Sequence, residues 1–290
     1  EQKNDLINRL TQSQSGLLVV GELTSPSEQQ MVQEIIEQIP WPMIVDAGSG
    51  LRIQEHPNMI LAWEDVLRNP PFYCSPDLIV QLGNGLCSKR YEQWIATLTC
   101  PIVVMNSRPI SSNPSSVAIV RYQCQISEFK ELSKHCSNSN LLPVFNRHNR
   151  NIKDSLLNEI KSNKLNDIQI TNAILQHSPD DCQVFIGNSM PIRDINNYLF
   201  NCSRHASTSN RGASGIDGLT STAYGWMIGH NRPTLLLIGD LSLMHDWGVL
   251  FTLSQTALPQ PLVIVVINNG GGGIFSMLPI SQEHDVFESH

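Results

Sequence analysis

The sequence lacks paired cysteines. Its seven cysteines are an odd number, and no two of them are spaced as C-x-x-C. Metal knuckles and the disulfide frameworks of small secreted domains are built from such pairs, so the sequence favours neither. We interpret the cysteines as reduced and mostly buried thiols in a reducing compartment.

Long apolar runs and an excess of positive charge are also missing. The longest runs, such as LVIVVI (262–267), are far shorter than the roughly 20 residues that cross a bilayer. Residues 1–10 contain no apolar signal core. The net charge of −7 argues against a nucleic-acid-binding surface, which carries a basic excess. We therefore expect a soluble protein with neither a membrane span nor a nucleic-acid partner.

Two common phosphate-binding fingerprints are absent as well. No G-x-G-x-x-G follows the early apolar runs, and G-K-[ST] occurs nowhere. These motifs hold the phosphates of dinucleotides and nucleoside triphosphates. We therefore expect the first half of the chain to be a structural α/β domain.

The sequence does contain short, β-branched apolar runs that alternate with helix-like segments. Runs of this length are typical of strands buried on both faces of a parallel sheet. Residues 25–39 begin with a Ser cap and have apolar residues at helical spacing. The segments ISEFKELSKHC and DIQITNAILQH also have apolar residues at helical spacing. The alternation predicts α/β layers. The apolar runs are GLLVVG (16–21), MIVDAG (43–48), LIVQLG (78–83), PIVVMN (101–106), CQVFIG (182–187), PTLLLIG (233–239) and PLVIVVI (261–267).

The length of 290 residues predicts two domains. Residues 136–166 are rich in Asn, Ser, Lys and Arg, which indicates an inter-domain connection with a helical piece. We expect a Rossmann-like α/β domain over residues 1–150 and a second α/β domain over residues 151–290. Each should have three layers around a mainly parallel sheet.

Polar residues follow two of the apolar runs. Asp240 comes after the sixth run, and Asn268 and Asn269 come after the seventh, followed by glycines at 270–273. Ligands of parallel sheets bind beyond the carboxyl ends of the strands. Mg²⁺ takes a few protein oxygens and completes its shell with phosphate and water, and glycines let the backbone approach phosphates closely. The pattern predicts a metal-bridged diphosphate site, with a helix starting at Ser242; the alternative is a helix cap and a turn.

These residues also carry a resemblance to a family. The motifs resemble those of the 2-succinyl-5-enolpyruvyl-6-hydroxy-3-cyclohexene-1-carboxylate (SEPHCHC) synthases, thiamine diphosphate enzymes of menaquinone and phylloquinone biosynthesis. Most thiamine diphosphate enzymes have Gly-Asp-Gly, and this chain has Leu241 in place of the last glycine, as one branch of the family does. The resemblance makes the two domains a middle domain and a diphosphate-binding domain. The motifs are VQLGNGLCSKRYEQW (80–94), GNSMPIRD (187–194), SNRGASGIDGLTSTAYG (209–225), GDLS (239–242) and NNGGGGIFSMLP (268–279).

The resemblance implies a reaction. Members of this family use thiamine diphosphate and Mg²⁺ (or Mn²⁺) to decarboxylate 2-oxoglutarate and add the succinyl-semialdehyde unit to isochorismate. It therefore implies a transferase with these two substrates, and a homo-oligomer, dimer or tetramer, for the full-length protein. A composition rich in Ser, Asn and Cys suggests the plastid stroma if the source is a plant; otherwise we expect the cytoplasm.

The resemblance also assigns roles to residues. Ile216 matches an apolar wedge beneath the cofactor, and Ile274, Phe275 and Leu278 match an apolar lid. Ser189 and Arg193 are four apart, so a helix starting after Asn188 places them on one face. The implied metal ligands are Asp240, Asn269 and the carbonyl of Gly271. The implied cofactor-binding residues are Ile216, Asp240, Leu241, Ser242, Asn269, Ile274, Phe275 and Leu278. The implied substrate-binding residues are Lys89, Arg90, Ser189, Arg193 and Arg211.

No catalytic residue is assigned to this chain. The family's activating glutamate lies in an N-terminal pyrimidine-binding domain, which we expect to be absent here, and we expect the second domain to be cut at its C-terminus. The chain alone is then an incomplete and inactive synthase. Two alternatives remain open: an incomplete fragment that only binds cofactor or assembles with a partner, and an acetolactate synthase-like carboligase.

Overall fold

The computed structural model describes residues 2–54, 56–68, 75–106, 120–123, 125–161, 165–199, 205–211 and 214–283. It divides into two compact units. The first comprises Glu1–Gln176 and Ile195–Arg204, and the second comprises His177–Asp194 and His205–His290. The predicted boundary at residue 150 stays a prediction.

The first unit is built on a parallel sheet. Its described strands lie in the order β2-β1-β3-β4-β5, and every neighbouring pair is parallel. Four of them coincide with the first four apolar runs of the sequence, and β5 was not predicted. The strands are β1 (Gly16–Val20), β2 (Met43–Val45), β3 (Leu78–Leu82), β4 (Ile102–Asn106) and β5 (Val120–Gln123).

Helices cover both faces of this sheet. Alternate residues of β1 point to opposite faces: Leu18 and Val20 belong to one apolar cluster, and Leu17 and Val19 belong to another. Helices α1, α2 and α5 pack in the first cluster, and α3, α4 and α6 pack in the second. The predicted three-layer α/β fold is therefore confirmed in this unit. The helices are α1 (Gln2–Gln12), α2 (Pro26–Ile36), α3 (Trp63–Arg68), α4 (Lys89–Ile95), α5 (Ile126–Leu132), α6 (Leu142–Ile160) and α7 (Asp167–His177).

The start of α2 shows how local sequence sets these elements. Ser25 is the predicted cap, and its hydroxyl accepts a hydrogen bond from the backbone N–H of Glu28 at 3.2 Å. The Glu28 carboxylate reaches back to the backbone N–H of Thr24 at 2.7 Å. The first bond satisfies a donor that the first turn of a helix leaves without a partner, and the second holds the residue that precedes the cap.

The second unit contains a smaller parallel sheet. Its described strands lie in the order β7-β6-β8-β9, and each pair is parallel. Three of these strands match apolar runs, and β7 was not predicted. The strands are β6 (Gln183–Ile186), β7 (Ser207–Ser209), β8 (Thr234–Gly239) and β9 (Leu262–Ile267). The helices are α8 (Met190–Tyr198), whose residues from Ile195 onward belong to the first unit, α9 (Leu219–His230), α10 (Asp240–His245) and α11 (Gly248–Gln255).

One expectation about the second sheet is wrong. The apolar run of β9 was expected to be buried on both faces, but Val263 is 53% exposed and Val266 is 36% exposed. The reason is its position, because β9 pairs only with β8 among the described residues. In contrast, Leu235 to Ile238 of β8 are buried.

In the described part of the chain, Cys87, Cys100, Cys136 and Cys182 are free thiols; Cys182 is buried and the other three are half-buried. Burial raises the pKa of the Cys100 thiol to about 11 and that of the Cys136 thiol to about 12.

None of the described helices combines the length and the apolar character that a membrane span requires.

Candidate active site

The predicted metal residues follow two strands that lie side by side. Residues Gly239 and Ile267 are paired in the parallel register of β8 and β9, so the two strands end level with each other. Asp240 starts α10 directly after β8, two residues earlier than the predicted helix start. Asn268 and Asn269 follow β9. The ends of the two strands therefore bring a carboxylate and amides to one edge of the sheet.

The glycine run after β9 adopts a conformation that only glycine takes readily. The φ angles of Gly270, Gly271 and Gly272 are +81°, +84° and +62°. These lie in the left-handed region, which costs other L-residues conformational energy. The backbone N–H of Gly270 donates to the Asn268 side chain at 3.0 Å, which closes a tight turn at the strand end.

The glycine turn lies against the residue that follows Asp240. A methyl group built on Gly271 would be 3.5 Å from Cδ2 of Leu241, an ordinary contact distance. A methyl group on Gly273 would be 2.4 Å from Nδ2 of Asn269, so the Asn269 amide occupies the space over that glycine. The structure thus places Leu241, the glycine turn and Asn269 beside one another. The half-buried Asp240 carboxylate accepts from the Leu241 N–H at 2.9 Å.

The residues expected to form an apolar lid come next. They lie in a short 3-10 helix, Gly273–Met277, and directly after it. Ile274 is half-buried, Phe275 is 54% exposed and Leu278 is 45% exposed. They form an apolar surface beside the glycine turn, and their role as a lid stays a prediction.

A second group of predicted residues gathers at the end of β6. Asn188, only 1% exposed, follows the strand and donates from Nδ2 to the backbone carbonyls of Asn210 at 2.9 Å and Gly215 at 2.7 Å. Its Oδ1 accepts from Nη1 of Arg211 at 2.9 Å. Ile216, the predicted wedge, directly follows Gly215 and is half-buried.

The predicted pair of Ser189 and Arg193 is also brought together. Ser189 has a φ of +69°, unusual for a residue with a side chain, and α8 begins immediately after it. The Arg193 guanidinium donates to the backbone carbonyl of Ser189 rather than to its hydroxyl. That hydroxyl, half-buried with its residue, is left for another partner in the described part of the site.

Lys89 and Arg90 belong to the first unit. They form the first turn of α4, where Ser88 is the N-cap and its hydroxyl accepts from the Arg90 N–H at 3.2 Å. Lys89 is exposed and Arg90 is half-buried. In the same turn of helix, burial raises the pKa of the Glu92 carboxyl, and Lys89 lowers it to a smaller extent. The substrate role of both cations stays a prediction.

A buried carboxylate that the sequence did not identify fixes the loop before α4. Asp46, only 1% exposed, accepts from the backbone N–H of Cys87 at 3.0 Å and from its thiol at 3.1 Å. It also accepts from the Asn196 amide at 3.2 Å and from the Gly48 N–H at 2.8 Å. Asp46 follows β2, so its place after an apolar run was the signal that could have revealed it.

No described group of three or more His, Cys, Asp or Glu side chains could hold a metal ion. The predicted set contains one carboxylate, one amide and one backbone carbonyl, and such a set does not form a group of that kind. The assignment of Asp240, Asn269 and Gly271 to a metal therefore stays a prediction.

Comparison with known proteins identifies the family. Residues 1–186 match the family model described as the middle domain of thiamine pyrophosphate, which is more than half of the chain. The chain belongs to this family. The matched residues include strands β1 to β5 of the first unit and β6 of the second, and the predicted recognition of a thiamine diphosphate-enzyme middle domain is confirmed.

Curated relatives extend the similarity beyond the thiamine pyrophosphate middle domain. The SEPHCHC synthase of Chlorobium phaeovibrioides is 29% identical over 286 residues, which cover 94% of this chain and 47% of that protein. The SEPHCHC synthase of Shewanella sp. strain ANA-3 is 32% identical over 277 residues, covering 92% of this chain and 47% of that protein. The chain spans about half the length of the curated relatives that it matches.

A solved structure shares the fold of this member of the thiamine pyrophosphate middle-domain family. A Mycobacterium smegmatis protein assigned to the thiamin diphosphate-dependent enzymes superposes with a TM-score of 0.63. The match covers 94% of this chain and 54% of that one at 16% identity, so it supports the α/β fold alone.

In the second unit, the sequence did not single out Asn188 as a site residue. Asn188 nevertheless lies inside the motif GNSMPIRD and directly follows β6.

Proposed function

We propose that the polypeptide carrying this chain is a SEPHCHC synthase. It would decarboxylate 2-oxoglutarate with thiamine diphosphate and Mg²⁺ and transfer the succinyl-semialdehyde unit to isochorismate, in menaquinone or phylloquinone biosynthesis. The observation that supports the proposal is the level ending of β8 and β9, after which Asp240 and the glycine turn follow at one edge of the sheet. The relatives that carry this name support the choice of reaction.

The residues present fit a metal-bridged diphosphate. The Asp240 carboxylate, the Asn269 amide oxygen and the Gly271 carbonyl are hard oxygen donors of the kind that Mg²⁺ prefers. The left-handed turn of Gly270 to Gly272 has no side chains to keep a diphosphate from the backbone. Bound thiamine diphosphate supplies the electron sink that cleavage of a 2-oxo acid requires.

The chain's own residues would bind and orient the substrates. Ser189, Arg193 and Arg211 gather at the end of β6, and guanidinium groups bind carboxylates through paired N–H groups. Both substrates are carboxylates. For Lys89 and Arg90, the resemblance alone supports a role in substrate binding. Five residues would shield the cofactor from water, and Ile216 would be the wedge beneath it. The shielding residues are Leu241, Ser242, Ile274, Phe275 and Leu278.

We further propose that turnover requires a glutamate from outside these 290 residues. The curated relatives are about twice as long as the matched region, which leaves room in them for another domain. On this proposal the chain binds the diphosphate end of the cofactor and its isolated form makes no product. A homo-oligomeric state and a plastid or cytoplasmic location stay predictions.

Calorimetry with Asp240→Asn tests the cofactor site. Thiamine diphosphate is titrated into the protein in the presence of Mg²⁺, and the variant should bind it about tenfold more weakly or worse, because a charged ligand is lost. Asp180→Asn is the matched control, since this exposed carboxylate precedes β6 at the opposite edge of the same sheet. Equal affinity in both variants would refute the metal assignment.

A turnover assay tests the reaction. The longest polypeptide that carries the chain is supplied with Mg²⁺, thiamine diphosphate and isochorismate, and with either 2-oxoglutarate or pyruvate. Product from 2-oxoglutarate supports the proposal, and product from pyruvate indicates an acetolactate synthase-like carboligase. Absence of cofactor binding by every form would leave an assembly module as the function.

A further inference from the structure

We infer that Asn188 is a positioning residue that holds Arg211 in place while leaving its positive charge free for a carboxylate ligand. The inference rests on the proposed function for the identity of that ligand. It starts from the position of Asn188 in the chain. A methyl group built on the preceding residue, Gly187, would be 2.7 Å from the carbonyl oxygen of Leu237, so the backbone there packs directly on β8. The start point of the Asn188 side chain is therefore fixed by the sheet.

The hydrogen-bond partners of Asn188 determine which atom of its side-chain amide is Nδ2 and which is Oδ1. Two backbone carbonyls, of Asn210 and Gly215, lie within 2.9 Å of Nδ2, and the Arg211 guanidinium lies 2.9 Å from Oδ1. Carbonyls can only accept and guanidinium can only donate, so the reverse orientation would lose all three bonds. Both N–H groups of the amide are thus occupied by protein, and Asn188 acts on a ligand through Arg211.

These bonds join three separate segments of the second unit. Asn188 follows β6, Asn210 and Arg211 follow β7, and Gly215 lies in the segment that leads into α9. Gly215 is the neighbour of Ile216, the predicted wedge. One side chain therefore sets both the guanidinium and the backbone next to Ile216. An exposed amide would be loosened by water, but this one is 1% exposed.

The chemistry of the bond to Arg211 matters as much as its geometry. Among the described residues, neither Arg211 nor Arg193 pairs with a carboxylate; Arg211 is held by a neutral amide and Arg193 by the neutral carbonyl of Ser189. A carboxylate at position 188 would hold Arg211 more strongly but would neutralise it. Consecutive neutral acceptors at 188 and 189 therefore orient two cations without cancelling their charge, in a protein whose net charge is −7.

The variant Asn188→Asp keeps the size of the side chain, adds a negative charge beside Arg211 and removes the two N–H donors that bind the carbonyls of Asn210 and Gly215. In the longest polypeptide that carries the chain, we expect KM for a carboxylate substrate to rise about tenfold or more, because the new carboxylate competes with the substrate for Arg211. Asn231→Asp adds the same charge on the surface at the end of α9 and should leave KM unchanged.

A double-mutant cycle separates positioning from a general structural role. If Asn188 acts through Arg211, then adding Asn188→Asp to Arg211→Gln should raise KM no further than Arg211→Gln does alone. If the two substitutions instead raise KM independently, so that their fold-increases multiply in the double variant, the inference is overturned. So would a KM for Asn188→Asp equal to that of Asn231→Asp.

A second measurement stands apart from the reaction. Phenylglyoxal modifies arginine side chains, and mass spectrometry resolves the rate at each site. Asn188→Ala should speed modification of Arg211 at least about threefold, because a hydrogen bond that restrains the guanidinium is lost. Arg232, which donates to the Asp181 carbonyl near the start of β6, is the internal reference, since unfolding would speed both sites.

The two measurements keep the outcomes distinct. If the longest polypeptide that carries the wild-type chain makes no product from 2-oxoglutarate and isochorismate but the Arg211 rate rises in Asn188→Ala, the proposed function fails and the positioning role stands. An unchanged Arg211 rate overturns the positioning role whatever the enzyme does. An equal rise at Arg211 and Arg232 also overturns it, because the effect would then be general unfolding.

Discussion

The same substitution, glycine to alanine, should have opposite effects at two positions of the second unit. Gly271 lies in the turn after β9 with a φ of +84°, where an added methyl would be in ordinary contact with Leu241. Space is therefore not limiting, and the cost is conformational, about 1–2 kcal/mol. Gly225 lies inside α9, where nothing would lie within 4 Å of a methyl. Alanine there should stabilise the helix by about 0.5–1 kcal/mol.

The conformational cost at Gly271 should lower either the free energy of unfolding or the affinity for thiamine diphosphate. If the turn keeps its shape without cofactor, Gly271→Ala lowers the free energy of unfolding by the full amount. If the turn relaxes, the same energy appears as weaker binding of thiamine diphosphate, about 5- to 30-fold for 1–2 kcal/mol. Urea denaturation followed by circular dichroism and calorimetry with Mg²⁺ measure the two parts. The loss of unfolding free energy and the loss of binding free energy should together be about 1–2 kcal/mol.

Gly271→Asn is the control for this argument. Asparagine tolerates the left-handed region better than alanine does, although its side chain is larger. It should therefore cost less than Gly271→Ala in the summed measurement. The reasoning is refuted if Asn is as damaging as Ala, or if Gly271→Ala and Gly225→Ala change stability in the same direction.

Three further predictions concern the first unit. Gly21→Ala should lower its free energy of unfolding by more than about 3 kcal/mol in urea, because the methyl would lie 1.9 Å from the carbonyl oxygen of Asn84; wild-type stability would contradict this. Arg52→Met should cost about 3 kcal/mol by the same assay, since this buried guanidinium donates to two backbone carbonyls; a neutral effect would show that they find other donors. Burial lowers the pKa of His148 and of His56, so the unfolded chain binds protons more tightly and stability should fall as the pH drops below about 6.5. His148→Gln should reduce that slope, and an unchanged slope would contradict the assignment.

The strands could be predicted from the sequence where apolar content is continuous. All seven apolar runs are strands, and the Ser25 cap is where the pattern placed it. The two strands that were missed, β5 (VRYQ) and β7 (STS), lie at sheet edges. An edge strand pairs on one side only and needs no continuous apolar run, so periodicity gives no signal for it.

The positions of the candidate site residues at the strand ends were predictable. Asp240 directly follows β8 and the glycine turn follows β9, and parallel register brings the ends of these two strands level. The sequence did not predict that the buried side chains of Asp46 and Asn188 each form several hydrogen bonds. Their partners come from segments distant along the chain, as in the bond between Asp46 and Asn196, and no local pattern encodes such pairing. Both nevertheless follow a strand, which is the rule that identified Asp240.

The outer strand of the second sheet has a practical consequence for handling the protein. LVIVVI is six residues of high β-propensity with neither charge nor proline, the composition from which intermolecular sheets nucleate. With its valines open to water and one row of backbone groups unpaired among the described residues, β9 is the segment at which chains would join edge to edge. Self-association in concentrated solution should therefore begin at β9, and a lysine at the exposed Val263 should suppress it.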